Sequence, residues 1–290
     1  MTLRMQLLAI FIVPILVVGA LFAFGTTLSV PVVGRDYVLK FELPPSGEPA
    51  DLPEIRGPQD RSRPLIVIDA GHGGHDPGAS SGGRREKDIV LALAKALRDE
   101  LLRAGGVRVA LTRDDDRFLV LEERVAVARA LGADLFLSIH ADSSGDVDGV
   151  TGASTYTLSQ DASSEAAARF AARENSVDVV NGVSLGAQSD AVSSILVELS
   201  QRRTQADSAE FARLILREGQ GILRFHPQPQ RSATLAVLRA PDVPGVLYEA
   251  GFITDEGEAE RMASPEGQAD FARVLARATR IYFARTAGTG

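Results

Sequence analysis

From Pro64 onward, short apolar runs alternate with longer stretches whose apolar residues recur every three or four positions. Leu65-Ile66-Val67-Ile68 is apolar throughout and reads as a buried strand running into a glycine-rich loop. Asp88 to Ala104 reads as a helix: Ile89, Leu93, Leu97 and Leu101 form one stripe, and Gly105-Gly106 ends it. Val107 to Thr112 predicts the next strand, Leu121 to Leu131 a helix, and Leu135 to Ile139 a strand after Gly132. Gly245 to Tyr248 is a further strand. Ser264-Pro265 then opens a last helix, with the serine as cap and the proline at the first helical position. Its stripe is Phe271, Val274, Leu275, Ala278 and Ile281. This alternation predicts an α/β fold: one three-layer domain, its central sheet mostly parallel, with helices on both faces. Ser163 to Phe225 differs. It carries mostly helical signals, few strand signals and loops rich in Ser, Asn and Gly, as an insertion or lid would.

The beginning of the chain follows another pattern. Leu7 to Phe24 is apolar apart from Pro14 and Gly19, follows Arg4 and contains no acid. Residues 1–25 therefore read as a signal peptide or an uncleaved signal anchor, with Val18-Gly19-Ala20 as the best cleavage match. A buried core helix fits less well, because the run is apolar on every face. Residues 26–63 are rich in Pro, Gly and charge and read as a linker, with a short strand at Tyr37 to Leu43. The folded body is then 64–286 and the tail 287–290.

Composition narrows the function. Of the 290 residues, 45% are hydrophobic and 24% charged, enough apolar material for a sizeable core. The 38 acidic against 31 basic side chains give a net charge of −7 with no basic stripe, which argues against a nucleic-acid partner. Cysteine is absent, which excludes disulfides, thiolate metal sites and a thiol nucleophile.

Three apolar strands run into residues that bind metals or move protons. They are Asp69-Ala70-Gly71-His72-Gly73-Gly74-His75-Asp76, Ser138-Ile139-His140-Ala141-Asp142 and Leu247-Tyr248-Glu249-Ala250. In parallel sheets the carboxyl ends of strands are where sites assemble. A hydrolytic zinc site needs about three N or O ligands, an open position and a nearby carboxylate base. His72 and His140 are the first two candidate ligands, and the third is another histidine or a carboxylate. Glu86, 14 positions after His72 and just ahead of the first amphipathic helix, is placed to turn back toward the strand end. Glu249, between apolar neighbours, is the candidate base, a setting that raises a carboxyl pKa. The duller readings are a structural histidine, a helix-start acid and a phosphate loop. The glycine-rich segment lacks GxGxxG and the P-loop lysine, and no HExxH is present.

At these residues the chain resembles the N-acetylmuramoyl-L-alanine amidases of the amidase 3 type. The matching segments are IVIDAGHGGHDPGA (66–79), REKDIVLALAKAL (85–97), LFLSIHAD (135–142) and PGVLYEAGFITDEGEAERM (244–262). The resemblance implies a sheet of about six strands, Zn2+ held by His72, Glu86 and His140, and Glu249 as the essential glutamate. Glu249 would take a proton from the attacking water and return it to the departing alanine nitrogen. The substrate implied is peptidoglycan, cut between N-acetylmuramic acid and L-alanine, and the compartment is the periplasm. His75 is read as a loop residue and His226, beside Pro227, as lying in a loop.

The segment after Tyr156 resembles the helical insertion of the Gram-negative cell-division members, through ARENSVDVVNGV (172–183) and SDAVSSILVEL (189–199). Residues 163–205 are thus expected to form a regulatory insertion that covers the site until an activator binds. A carboxylate from it, Glu174 first and Glu198 second, would occupy zinc's open position. A LytM-domain protein is the activator implied, and Ile195, Leu196 and Leu199 offer it an apolar patch. A zinc carboxypeptidase acting on the stem peptide and a non-catalytic peptidoglycan-binding scaffold are the alternatives.

Overall fold

The computed structural model of this protein describes residues 52–143, 149–176, 179–180, 183–184 and 194–287, with residues 179–180, 183–184 and 194–201 described as backbone only. The Leu7–Phe24 run, the Tyr37–Leu43 strand and the side chains of Ile195, Leu196, Glu198 and Leu199 lie outside these. No helix among the described residues is long and apolar enough to cross a membrane.

In chain order the elements are β1 (Leu65–Ala70), a hairpin of β2 (Ser80–Ser81) and β3 (Arg84–Arg85), α1 (Glu86–Ala104), β4 (Arg108–Leu111), α2 (Leu121–Ala130), β5 (Leu135–Asp142), β6 (Ala153–Leu158) and α3 (Glu165–Glu174). There follow the pair β7 (Val179–Val180) and β8 (Val183–Ser184), α4 (Ser194–Gly219), β9 (Phe225–Ala233), a 3-10 turn (Ala236–Leu238), β10 (Gly245–Phe252), α5 (Glu256–Ala263) and α6 (Pro265–Thr286). Six strands form one sheet in the order β4-β1-β5-β10-β6-β9. The first four are mutually parallel; β6 runs antiparallel to β10, and β9 runs parallel to β6.

Side chains alternate between faces along a strand, so each strand feeds two cores. Ile66, Ile68, Leu135, Leu137 and Ile139 face α1, α4, α5 and α6. Leu65, Val67, Phe136, Tyr156 and Leu247 face α2, α3 and the 3-10 turn. Covered on both sides, the strands read as continuous apolar runs rather than alternating ones.

The helix starting at Asp88 by its apolar stripe begins two residues earlier, at Glu86. Ser264 caps α6 as its sequence suggests, accepting from the Gly267 amide at 3.0 Å. Two sheet strands were not legible. β6 is ASTYTL, and β9 contains Pro227 and Pro229, which an edge strand tolerates because half its amides need no ladder partner. His226, read as lying in a loop, belongs to β9. The boundary at residue 205 falls inside α4, whose Phe211 and Ile215 are fully buried in the core that α6 shares. The end of the linker is attached as well: Arg56 exchanges backbone hydrogen bonds of 2.8 and 2.9 Å with Val109 on edge strand β4.

Candidate active site

The carboxyl ends of β1, β5 and β10 deliver His72, His140 and Glu249 to one region, and two of these three are neighbours in the ladder. Glu249 pairs with His140 in the parallel β10–β5 register. Both lie on the face covered by α3, since Leu247 and Phe136 of the same parity belong to that core.

Beyond β1 the chain turns sharply, and His72 is the single non-glycine among the described residues with a positive φ, 58°. Such a conformation persists only where surrounding bonds over-determine it. Two buried arginines do so. Arg124 donates to the carbonyls of Ala70 (2.7 Å) and His72 (2.8 Å), and Arg113 to those of Ala70 (2.8 Å) and Gly71 (2.7 Å). Arg124 is held in turn by Asp69, fully buried, which also accepts from Thr112 (2.6 Å) and Ser138 (2.7 Å). Burial alone would raise the Asp69 pKa; the Arg124 charge and these donors outweigh it and hold the carboxyl below the usual range.

A depressed folded-state pKa means that this stabilisation is complete above the unfolded value of about 4 and is lost as pH falls through the folded value. Asp69→Ala would leave Arg124 buried and unpaired. It is expected to cost about 3–5 kcal/mol in urea unfolding at pH 7. A loss below about 1 kcal/mol would show that the pair does not support the loop.

The two imidazoles approach with ring centroids 4.9 Å apart at 74°. Asp76 accepts from His72 Nδ1 at 2.7 Å, which fixes the tautomer and leaves Nε2 free to coordinate. Glu86, first residue of α1, places Oε1 3.1 Å from both His72 Nε2 and His140 Nδ1. It is anchored by backbone amides, Ala141 to Oε1 and Ala79 to Oε2, each at 2.9 Å. Glu174, at the end of α3, brings Oε2 to 3.7 Å from His72 Nε2 and 3.3 Å from His140 Nδ1. The ligand atoms of His72, His140 and Glu174 lie within 4.8 Å of one another, and all three residues are buried.

His72 Nε2 has no partner in hydrogen-bond geometry, although it faces Glu86. His140 Nδ1, by contrast, is hydrogen-bonded to Glu86 Oε1 at 3.1 Å. Polar atoms that converge on one point suit a shared cation, and a two-imidazole, carboxylate set suits zinc. Burial opposes a charge on His72, yet Glu86, Asp76 and Glu174 outweigh it and push its pKa well up. A carboxylate-rich pocket of this kind is equally suited to a divalent cation. Glycine is required on both sides: a Cβ on Gly71 would sit 2.4 Å from His140 Cε1, and one on Gly78 would sit 2.6 Å from Glu86 Oε2 and 2.7 Å from His72 Cδ2.

Glu249 is buried, and neither carboxylate oxygen has a hydrogen-bond partner. Burial, then the charges of Asp142, Glu86 and Glu174, push its pKa well above the ordinary range against the pull of Arg173. Such a carboxyl can hold a proton and give it up when the local charge changes. Arg173 ties α3 to the sheet by an ion pair with Asp142 and lies 3.4 Å from Glu174. Burial raises Asp142 to about 6.

Asp76, Asp142, Arg173 and the Asp69–Arg124 pair had no assigned role in the sequence reading. The first two stand beside the histidines in their motifs, a signal available but unused; the arginines carried none. His75 packs its ring on Phe118, 4.2 Å away, outside the cluster. Glu198 lies outside the described side chains.

Comparison with known proteins identifies the family. The Amidase_3 family, described as N-acetylmuramoyl-L-alanine amidase, matches residues 66–280. AmiC of Escherichia coli is 34% identical over 248 residues, 84% of this chain and 59% of that protein. AmiC of Neisseria meningitidis is 36% identical over 240 residues, 80% of this chain and 57% of that protein. The chain thus spans less than two thirds of these relatives. Among solved structures, the amidase AmiC2 of Nostoc punctiforme superposes with a TM-score of 0.54 at 28% identity, covering 77% of this chain and 98% of that one. The chain belongs to the amidase 3 family of N-acetylmuramoyl-L-alanine amidases.

Proposed function

We propose that this protein is a zinc-dependent peptidoglycan amidase that cuts the bond between N-acetylmuramic acid and L-alanine, and that Glu174 holds it inactive at rest. The observation that carries the reading is the meeting of His72, His140 and Glu86 within 3.1 Å contacts, one strand away from the unpartnered Glu249. His72, Glu86 and His140 would hold the cation, with Asp76 orienting His72 from behind. When bound, zinc polarises a carbonyl and makes water more acidic.

The chain's own contribution is proton handling. Glu249 takes the proton of the attacking water and returns it to the alanine nitrogen as the amide breaks. Its burial and its acidic neighbours keep that proton available in the second step. No covalent enzyme intermediate is needed.

Glu174 completes a set of four donors. A hydrolytic site needs an open position, whereas four protein ligands close it. Arg173, paired to Asp142, holds α3 where Glu174 reaches the histidines. Release would require that segment to move, and a LytM-domain activator binding the 163–205 region is the partner this reading implies. The apolar Leu7–Phe24 run supports export to the periplasm, and the sequence resemblance of 172–183 and 189–199 to the insertion of the cell-division members supports a part in cell division.

The test is digestion of purified sacculi by wild type and Glu174→Ala, with products identified by mass spectrometry. Intact stem peptides are expected from both, released about tenfold or more faster by Glu174→Ala, because removal of the blocking group raises the competent fraction. Release of single amino acids would mark a carboxypeptidase instead. Equal rates would remove Glu174 as the brake.

A further inference from the structure

Ser154, the second residue of β6, stands directly opposite Glu249 in the antiparallel β6–β10 register, and Glu249 stands beside His140. His140, Glu249 and Ser154 therefore form one row across three strands. Opposed side chains share a face at about 5 Å between Cβ atoms. That face is the one under α3: Tyr156, two residues beyond Ser154, stacks on Phe170 at 4.4 Å.

Ser154 is 2% exposed, and its Oγ has no hydrogen-bond partner. The other buried serine and threonine hydroxyls among the described residues are satisfied. Thr112 and Ser138 donate to Asp69, Thr155 to Pro229, Ser208 to Thr204 and Thr279 to Leu275. On its far side Ser154 has no ladder neighbour, because the β6–β9 register jumps from Ala153↔Phe225 to Thr155↔Gln230. A buried hydroxyl without a partner is unfavourable, and it calls for an explanation. Here it faces another orphan, since both Glu249 oxygens are unpartnered.

We propose that Ser154 is a substrate-contacting residue whose hydroxyl accepts the N–H of the scissile amide beside Glu249. The assignment rests on the amidase reading, and the order of the row supports it. The metal ligands lie at the His140 end, where the carbonyl oxygen belongs. The nitrogen must reach Glu249 to receive its proton, and Ser154 is Glu249's neighbour on the side away from His140. An N–H held there turns the nitrogen lone pair toward the carboxyl.

The experiment compares Ser154→Ala and Ser154→Thr, in wild type and in Glu174→Ala, on sacculi. Ser154→Ala should lower kcat/KM about a hundredfold, the lower end of the loss seen when one preorganised polar contact is removed from an active site. Its melting temperature should be unchanged or higher, because an unsatisfied buried group has gone. Ser154→Thr should keep most of the activity, and Ser154→Cys replaces alanine if that variant fails to fold.

A binding measurement separates this proposal from the amidase reading. In the Glu174→Ala/Glu249→Gln protein, whose site is unblocked, calorimetry with N-acetylmuramoyl-L-alanyl-D-isoglutamine should show affinity about fivefold weaker when Ser154→Ala is added. If the parent released no stem peptides, the amidase reading would fail while this arm still reported on Ser154. Turnover within twofold of the parent, or unchanged affinity, overturns the Ser154 assignment.

Discussion

Glu249→Gln is expected to lower turnover on sacculi by roughly 10²- to 10⁴-fold while leaving the protein folded and able to bind metal. The substitution keeps the shape of the side chain and removes only its capacity to exchange a proton. Both Glu249 oxygens are buried without partners, so no hydrogen bond in the resting structure is lost. The loss should appear in kcat with little change in KM, because the carboxyl acts on the reacting atoms rather than on binding. The melting temperature should hold or rise, since a buried acid pressed by Asp142, Glu86 and Glu174 is replaced by a neutral amide. Zymograms of both proteins, with zinc content measured in parallel, would check it. Equal clearing by wild type and variant would exclude Glu249 as the acid–base group.

The second large effect is on the donors. Chelation should abolish hydrolysis and lower the melting temperature, and zinc should restore both. Binding to the folded state alone stabilises it by about 2.7 kcal/mol at a hundredfold excess over Kd. His140→Ala should abolish the zinc-dependent rise as well as activity, because His140 Nδ1 faces both Glu86 and Glu174. Asp76→Ala should weaken zinc binding by about ten- to a hundredfold without abolishing it, as expected for a partner that orients His72 from behind. A chelated protein that still released stem peptides at the full rate would end the metal reading. So would a His140→Ala protein stabilised by zinc as strongly as wild type.

The parts of this molecule legible in its sequence share one property: the signal is local. Apolar runs at Leu65–Ile68 and Leu135–Ile139, the stripe from Ile89 to Leu101, and Ser264-Pro265 each report on a segment shorter than about twenty residues. His72, His140 and Glu249 stood out because each interrupts an apolar run with chemistry at its end. Glu86 emerged from its place before a helix, strengthened by resemblance. β6 and β9 escaped notice for the same physical reason in reverse. Their Ser, Thr, Gln and Pro content lacks a continuous apolar run, and the neighbour that makes them strands lies far along the chain.

By itself, then, the sequence determined the order of the four parallel strands and of α1, α2 and α6 among them, the two-faced burial of the sheet and the identity of the residues at the strand ends. Tertiary structure alone decided which of those residues meet. The β10–β5 and β6–β10 registers place Glu249 between His140 and Ser154, and a slip of one residue would turn each to the opposite face. The packing of Phe170 on Tyr156 carries Glu174 to the histidines, and buried Asp69 and Arg124 hold His72 at a positive φ. Those relations span tens to over a hundred residues of chain. Periodicity reports which face of an element is apolar, but carries no information about the distance to another element.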